Sequence, residues 1–383
     1  MEITLPIPLA LYIHIPWCVR KCPYCDFNSH EARQDVPEQE YVTALLHDLE
    51  QNVALIWGRP VHSIFFGGGT PSLFSPESID RILCGVRALV KLDTYAEITM
   101  EANPGTVEAA RFKGYRDAGV NRLSLGIQSF NPKHLAALGR IHDDKEAHRA
   151  IEIALNTFDN VNLDLMYALP GQTPAEALND LRSAISYKPP HLSAYHLTLE
   201  PSTPFYQNPP TLPDDDTSAG MQEALEHELA AHGYQHYETS AFAQPGRQCR
   251  HNLNYWQFGD YLGIGAGAHG KLSFHDRVIR QARHKHPAAY LREVANGNGV
   301  SQEQTLTESD LGFEFMMNAL RLNQGFAPEL FQQRTGLPLI HIENALADAQ
   351  RKDLLERNSE TIAPTLRGQR YLNELLQLFL PTD

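Results

Sequence analysis

The sequence predicts an α/β fold: a partial, TIM-like (β/α)6 barrel followed by a C-terminal, mostly helical, winged-helix-like module. Three observations carry this reading. Six strand-like segments alternate with helix-periodic ones over roughly the first 200 residues, the pattern of a parallel sheet. Nearly every chemically distinctive residue follows one of those strands, where ligands collect in such folds. Toward the C-terminus the apolar spacing becomes helical. At 383 residues the chain accommodates two domains, and six units, short of a closed eight, predict a wide lateral mouth that would admit a large substrate.

The strands are expected at residues 9–15, 63–66, 97–101, 122–127, 162–168 and 192–198, each ending in a polar or glycine-rich loop. Helices are expected at 40–57, 75–90, 107–118, 145–157 and 173–186 from apolar residues at i, i+3, i+4 spacing, with Pro76 and Pro174 in first turns. Residues 201–216 are Pro-rich, end in Asp214, Asp215 and Asp216, and read as a surface connector. A helix over 221–231 leads into 234–242 and then a Gly- and aromatic-rich stretch over 251–271. Helices over 308–321, 328–335 and 340–353, then 362–365 and 369–379, resemble a winged-helix unit with its wing and last helix. The expected division is 1–208 for the partial barrel, 209–300 for a region completing it, and 301–383 for the helical module.

Composition narrows the function. A net charge of −14 excludes a general nucleic-acid binder, and the C-terminal module has no strong basic excess, so a lid or docking role is preferred for it. The apolar stretch from Leu9 to Trp17 is short, contains His14 and follows no basic segment, so neither a signal peptide nor a membrane span is expected and a cytoplasmic location is. Locally the charge reverses: residues 241–300 hold six Arg and two Lys against two Asp and one Glu, which suggests an anionic small ligand or a solvated face.

Of five cysteines, Cys18, Cys22 and Cys25 fall within eight residues, directly after the first strand, while Cys84 and Cys249 stand alone. This clustering in a reducing compartment points to metal rather than disulfides. Zinc would need a fourth ligand such as His14 or His30, and structural zinc sites normally pair two ligand-bearing knuckles. A [4Fe–4S] cluster held by three thiolates keeps one iron open to an exogenous ligand.

The C-x3-C-x2-C spacing of Cys18, Cys22 and Cys25 after a first strand resembles the signature of the radical S-adenosylmethionine (SAM) enzymes. The resemblance implies a [4Fe–4S] cluster with SAM chelating the open iron, an electron donor for the cluster, and reductive cleavage of SAM to a 5′-deoxyadenosyl radical. Other positions fit it in turn. Tyr24 matches the aromatic residue beside the adenine, and Gly68, Gly69 and Thr70, in the run from Gly67 to Pro71, resemble the glycine motif for the methionine moiety. Glu101 suits the ribose hydroxyls or the amino group; Gln128 and Asp164 lie on the fourth and fifth strands; Arg140 offers a bidentate carboxylate partner.

Tyr12-x-His14-Ile15-Pro16, Gly126-Ile127-Gln128-Ser129 and the segment from Asp164 to Gly171 resemble one branch, the oxygen-independent coproporphyrinogen III oxidases and their relatives. Two departures separate this chain from the decarboxylating enzymes, which carry another cysteine where Phe27 stands here and an extension before the first strand. Both point to the HemW-type haem chaperones, as does His251-Asn252-Leu253-Asn254-Tyr255-Trp256, which looks like their HNxxYW motif. The resemblance implies haem as cargo, bound through His251, Asn252, Tyr255 and Trp256, and delivery to an acceptor haemoprotein, expected to be a respiratory enzyme. Imidazole is a standard axial ligand of haem iron. Arg247, Arg250, Arg277, Arg280 and Arg283 would meet the propionates. Cys249, two residues before His251, offers an alternative soft axial ligand or covalent attachment point, but as a single thiol it is read as a bystander; the glycine run from Gly263 to His269 is read as backbone crowding at the SAM pocket. Coproporphyrinogen oxidase activity is the alternative reading; SAM cleavage is open in either.

Overall fold

The computed structural model describes residues 1–32, 36–56, 58–106 and 108–381. Its main body is one twelve-stranded sheet. In chain order the strands are β1 (Leu9–Ile15), β2 (Val61–Gly68), β3 (Leu92–Ala102), β4 (Arg122–Gln128), β5 (Val161–Tyr167), β6 (His191–His196), β7 (Gln235–Glu238), β8 (Ala241–Ala243), β9 (Asp260–Ile264), β10 (His269–Ser273), β11 (Val278–Arg283) and β12 (Val300–Thr305). They are ordered β12-β11-β10-β9-β1-β2-β3-β4-β5-β6-β8-β7. All pairs from β1 through β6 are parallel, as the sequence predicts, and β9 adds a further parallel strand beside β1. The remaining strands continue both flanks antiparallel.

The two faces of the curved sheet differ in chemistry, and strand alternation explains why. Leu11, Ile13 and Ile15 of β1, Ile64 and Phe66 of β2, and Leu123, Leu125 and Ile127 of β4 belong to the main apolar core under the helices. The alternate positions, among them Tyr12, His14, Ser63, Glu97, Glu101, Arg122, Ser124, Asn162 and Asp164, form the other set. Their mutual hydrogen bonds, such as Ser124 Oγ and Asn162 Nδ2 to Asp164 at 2.8 Å each, place them on the inner face. A parallel barrel with this polar lining is built to enclose a ligand rather than to pack shut.

Helices Glu38–Asn52, Pro76–Leu89, Ala109–Ala118, Asp144–Thr157 and Pro174–Ser186 cover the outer face. Asp143 with Glu146 and Thr173 with Glu176 form capping boxes. The first helix ends at Asn52 and tightens into a 3-10 turn, Val53–Ile56; the expected end at Trp57 and the expected start of the third helix at Val107 lie outside the described residues. The expected connector is shorter than predicted. Helix Asp215–Ala231 begins inside the aspartate run, because Asp214 accepts the Thr217 N–H at 2.7 Å and Asp215 and Asp216 sit at the positive end of the helix dipole.

The C-terminal module has its own apolar core. It contains helices Glu308–Ala319 and Pro328–Thr335, the wing strands Leu355–Arg357 and Ile362–Pro364, and two short helices, Leu366–Arg370 and Leu372–Gln377, where one was predicted. The predicted helix over 340–353 likewise divides into a 3-10 turn, Leu339–Ile342, and Glu343–Arg351, directly after Pro338. Ile3 and Ile7, at the start of the chain, are buried in this second core. No helix among the described residues is long and apolar enough to cross a bilayer.

Candidate cluster loop and central cavity

The loop carrying Cys18, Cys22 and Cys25 is pinned at both ends, since Trp17–Cys18 and His30–Glu31 pair as a two-residue parallel ladder. Within it the Cys25 N–H donates to the Cys22 carbonyl at 3.2 Å, and Lys21 Nζ donates to the carbonyls of Phe27 at 3.1 Å and Ser29 at 3.3 Å. All three thiols are free and partly exposed. Burial raises the pKa of Cys18 and of Cys25, opposed by hydrogen bonds from Thr70 and from the Phe27 backbone respectively. Among the described residues no three His, Cys, Asp or Glu side chains converge as ligands of one ion. A polynuclear cluster, whose thiolates bind separate irons, asks for spacing instead of convergence.

Inside the sheet lies an open cavity of about 650 Å³ with Tyr12, Gly68 and Glu101 among its lining, a volume in the range of small-molecule sites. His14 fixes this end. The Asn28 carbonyl can only accept, so His14 Nε2 carries the proton it donates at 2.8 Å, and Nδ1 accepts from the Tyr12 hydroxyl at 3.0 Å. Burial lowers the His14 pKa to about 4, so the ring is neutral. A Cβ at Gly68, whose φ is +114°, would stand 2.6 Å from that ring, and one at Gly69 would meet the Trp17 carbonyl at 2.5 Å. Asn28, which sequence reasoning passed over, ties the loop to the glycine run: its Nδ2 donates to the carbonyls of Ala266 at 2.9 Å and Lys285 at 2.8 Å.

Glu101, near the end of β3, and Asp164, in the middle of β5, line the same inner wall on either side of β4. Burial, then the Asp164 carboxylate, push the Glu101 pKa up to about 8, against a hydrogen bond from the Gly68 N–H. Burial also raises Asp164, opposed by Ser124 and Asn162. Gln128 sits in the left-handed region at φ 68°, a conformation costing about 1–3 kcal/mol and concentrated at functional sites. Arg140 donates through Nη2 to the Gly126 carbonyl at 2.7 Å, holds Nη1 3.7 Å from Cys22 Sγ, and leaves a buried Nε without a partner. Thr70 and Cys22 share a small crevice with it. Tyr24 packs near Phe205 against the patch of Leu138, Met166 and Leu169. Three free thiols on one loop, an unpartnered guanidinium nitrogen beside one of them, and a glycine cradle opposite a protonated carboxyl fit a cluster with a bound amino-acid-bearing nucleoside.

The predicted haem motif forms helix Arg250–Trp256 at the opposite end of the strands. Glu97 anchors it, accepting the backbone N–H groups of Arg250 and His251 at 3.1 Å each and the Cys249 thiol at 3.5 Å. His251 is 1% exposed. Its Nδ1 lies 2.9 Å from Ser63 Oγ and its Nε2 3.1 Å from the Tyr255 hydroxyl, and its ring centre is 5.0 Å from that of Phe65. Burial, then the Arg122 cation, lower its pKa to about 3. Both His251 nitrogens thus have partners, Ser63 and Tyr255, beneath the cavity. Tyr255 lines the cavity, whereas Asn252, half-buried, and Trp256, beneath the Arg321 guanidinium at 4.3 Å, do not. Cys249 is buried, its pKa pushed up to about 12 by burial.

The expected arginine cluster does not assemble either. Arg283 is buried against Asp48 at 3.0 Å, Arg280 pairs with Glu314 and Tyr261, Arg277 with Asp276, and Arg250 donates to the Tyr95 carbonyl. The arginines are thus spread over separate partners, Asp276 adjacent in sequence and Asp48 and Glu314 distant from it.

With this geometry in place, relatedness decides the family. The family described as "Radical SAM superfamily" matches residues 12–184, and the "HemN C-terminal domain" matches residues 306–371. Proteins named heme chaperone HemW from Haemophilus influenzae and Escherichia coli are each 50% identical to this chain, over 98% and 99% of it and 99% of their own lengths. The chain belongs to the HemW family. The relative from Bacillus subtilis is 34% identical over 97% of the chain and 99% of its own. The solved structure of coproporphyrinogen III oxidase (HemN) from Escherichia coli has a TM-score of 0.83, covering 98% of this chain and 90% of that one, at 24% identity. That likeness establishes the shared radical SAM fold.

Proposed function

We propose that this chain is a cytoplasmic haem chaperone: it binds haem and transfers it to an acceptor haemoprotein of the respiratory class. The observation that carries the reading is the full-length, 50% identity to proteins named haem chaperones. Phe27, 60% exposed at the cavity rim, supports it, since the resemblance separates chaperone from decarboxylase at this position. In the same reading residues 1–208 hold the cluster and SAM, 209–300 wall the cavity, and 301–383 dock or cover.

Cys18, Cys22 and Cys25 would hold a [4Fe–4S] cluster, with Tyr12, Tyr24, Gly68, Gly69, Thr70, Glu101, Gln128, Arg140 and Asp164 around SAM. Bound together, cluster and SAM supply reductive carbon–sulfur cleavage when an external donor provides an electron. The chain's own part is to bind and orient. Glu101, protonated near neutral pH, donates to a ligand oxygen; Arg140 neutralises negative charge beside Cys22; the neutral His14 keeps Asn28 and Tyr12 in place.

The test uses anaerobically reconstituted full-length protein. Haem uptake, transfer to an apo-haemoprotein, and conversion of coproporphyrinogen III are followed in parallel, with 5′-deoxyadenosine measured in each. Uptake and transfer without vinyl product are expected. Robust vinyl product without haem transfer would overturn the chaperone reading in favour of the decarboxylase.

A further inference from the structure

The loop that carries the three thiols also buries a hydroxyl. Ser29 is 6% exposed, and its Oγ is sealed from solvent with no hydrogen-bond partner among the described residues. A buried hydroxyl in that state is uncommon enough to need a cause. Its position is not free to relax. The Ser29 N–H donates to the Phe27 carbonyl at 2.7 Å, and its own carbonyl accepts from Lys21 Nζ at 3.3 Å. On one side Asn28 is tied to the carbonyls of Ala266 and Lys285; on the other His30 enters the ladder with Trp17 and Cys18.

What the hydroxyl faces is sulfur. Burial raises the pKa of Cys18 and of Cys25, and the Ser29 side chain opposes that rise at both as a hydrogen-bond donor. A neutral thiol accepts a hydrogen bond weakly and a thiolate strongly. The Ser29 hydroxyl, idle beside thiols, therefore gains its partners when the cysteines are thiolates. Cys22 has a different donor, since Arg140 Nη1 lies 3.7 Å from its Sγ, and Thr70 adds another at Cys18. Each of the three sulfurs thus meets a donor, and Ser29 serves two. Hydrogen bonds to the sulfurs help set the reduction potential of an iron–sulfur centre. One-electron reduction adds negative charge to the centre and its thiolates, so a donated O–H favours the reduced form over the oxidised one.

We propose that Ser29 is a positioning residue that raises the reduction potential of a [4Fe–4S] cluster on Cys18, Cys22 and Cys25, by sharing its hydroxyl proton between the Cys18 and Cys25 sulfurs. This assignment rests on the cluster reading above. The electron comes from the external one-electron donor; no bond to Ser29 forms or breaks, and its proton stays on Oγ.

The test is a potential measurement. Full-length wild type, Ser29→Ala, Ser29→Gly and Ser29→Thr are reconstituted anaerobically without SAM, and iron and sulfide are counted in each. The reduced cluster is then followed by electron paramagnetic resonance through a mediated titration with dithionite. With iron content unchanged, Ser29→Ala and Ser29→Gly shift the one-electron equilibrium about tenfold toward the oxidised form, a fall of about 59 mV in midpoint. Ser29→Thr keeps the hydroxyl and recovers most of that fall. Cluster-free Ser29→Ala melts no lower than cluster-free wild type, because the hydroxyl has no partner there. Wild-type midpoints in the two hydroxyl-free variants, with or without a lower melting temperature, overturn the assignment and leave the cluster reading standing; so does a fall shared equally by Ser29→Thr. Wild type that takes up no iron and sulfide overturns the cluster reading itself.

Discussion

At the scale of single residues, the inner face holds groups in unusual protonation states, each with a definite cause. Glu101 is the clearest: burial, then Asp164, move its pKa from 4.5 to about 8. Between those values the folded chain keeps a proton that the unfolded chain releases, so its contribution to stability is full below about pH 4.5 and is lost as pH rises through 8. Glu101→Gln removes the titration while preserving shape. Melting temperatures of ligand-free wild type and variant should therefore diverge as pH rises from about 5 to 8.5, the variant becoming relatively more stable. Parallel profiles would show that Glu101 is charged in the folded protein. His251 carries a different lesson. Its identity in the motif was plain in the sequence, but the partners of its two nitrogens, Ser63 and Tyr255, were not, and Ser63 is 188 positions away. Residue type tells what a side chain can bind; which neighbours it packs against is a property of the fold.

At the scale of elements, the parallel strands were legible because their outer positions are continuously apolar and their loops are punctuated by glycine and proline. The cysteine loop was legible for the same local reason, all three thiols lying within eight residues. Long-range pairings were not. Helix Glu38–Asn52, β11, the glycine run and helix Pro287–Ala295 meet at Asp48, which accepts from Arg283 Nε at 3.0 Å, the Tyr290 hydroxyl at 2.9 Å and the Gly265 N–H at 3.3 Å. This buried junction turned an arginine expected at a propionate into a structural one. Removing one member of such a pair leaves an uncompensated charge and costs about 3–5 kcal/mol. Arg283→Met should lose stability in that range by urea denaturation, and the double variant with Asp48→Leu should recover part of it. Additive losses would mean that the two side chains are independently solvated.

At the scale of the whole molecule, two apolar cores divide the work. The larger one fixes the strands that present the cluster loop and cavity, and the smaller one forms the C-terminal module. Ion pairs join them: Arg370 with Glu226, Arg321 with Glu238, and Arg280 with Glu314. The wing and its flanking helices were readable from local periodicity, but the membership of the first seven residues was not, because nothing in so short a segment records what covers it. The Glu2 N–H donates to the Gly336 carbonyl at 3.1 Å, and Ile3 and Ile7 are 7% and 3% exposed within the second core. Truncating a buried isoleucine to alanine costs about 2–5 kcal/mol, and here that loss falls on the C-terminal module. Hydrogen exchange of an Ile3→Ala, Ile7→Ala double variant should thus accelerate in helices Glu308–Ala319 and Pro328–Thr335 while β2 and β4 keep wild-type protection. Equal acceleration in the barrel strands would show that the two cores open as one cooperative unit, and the chain's first residues would then bind the whole molecule together.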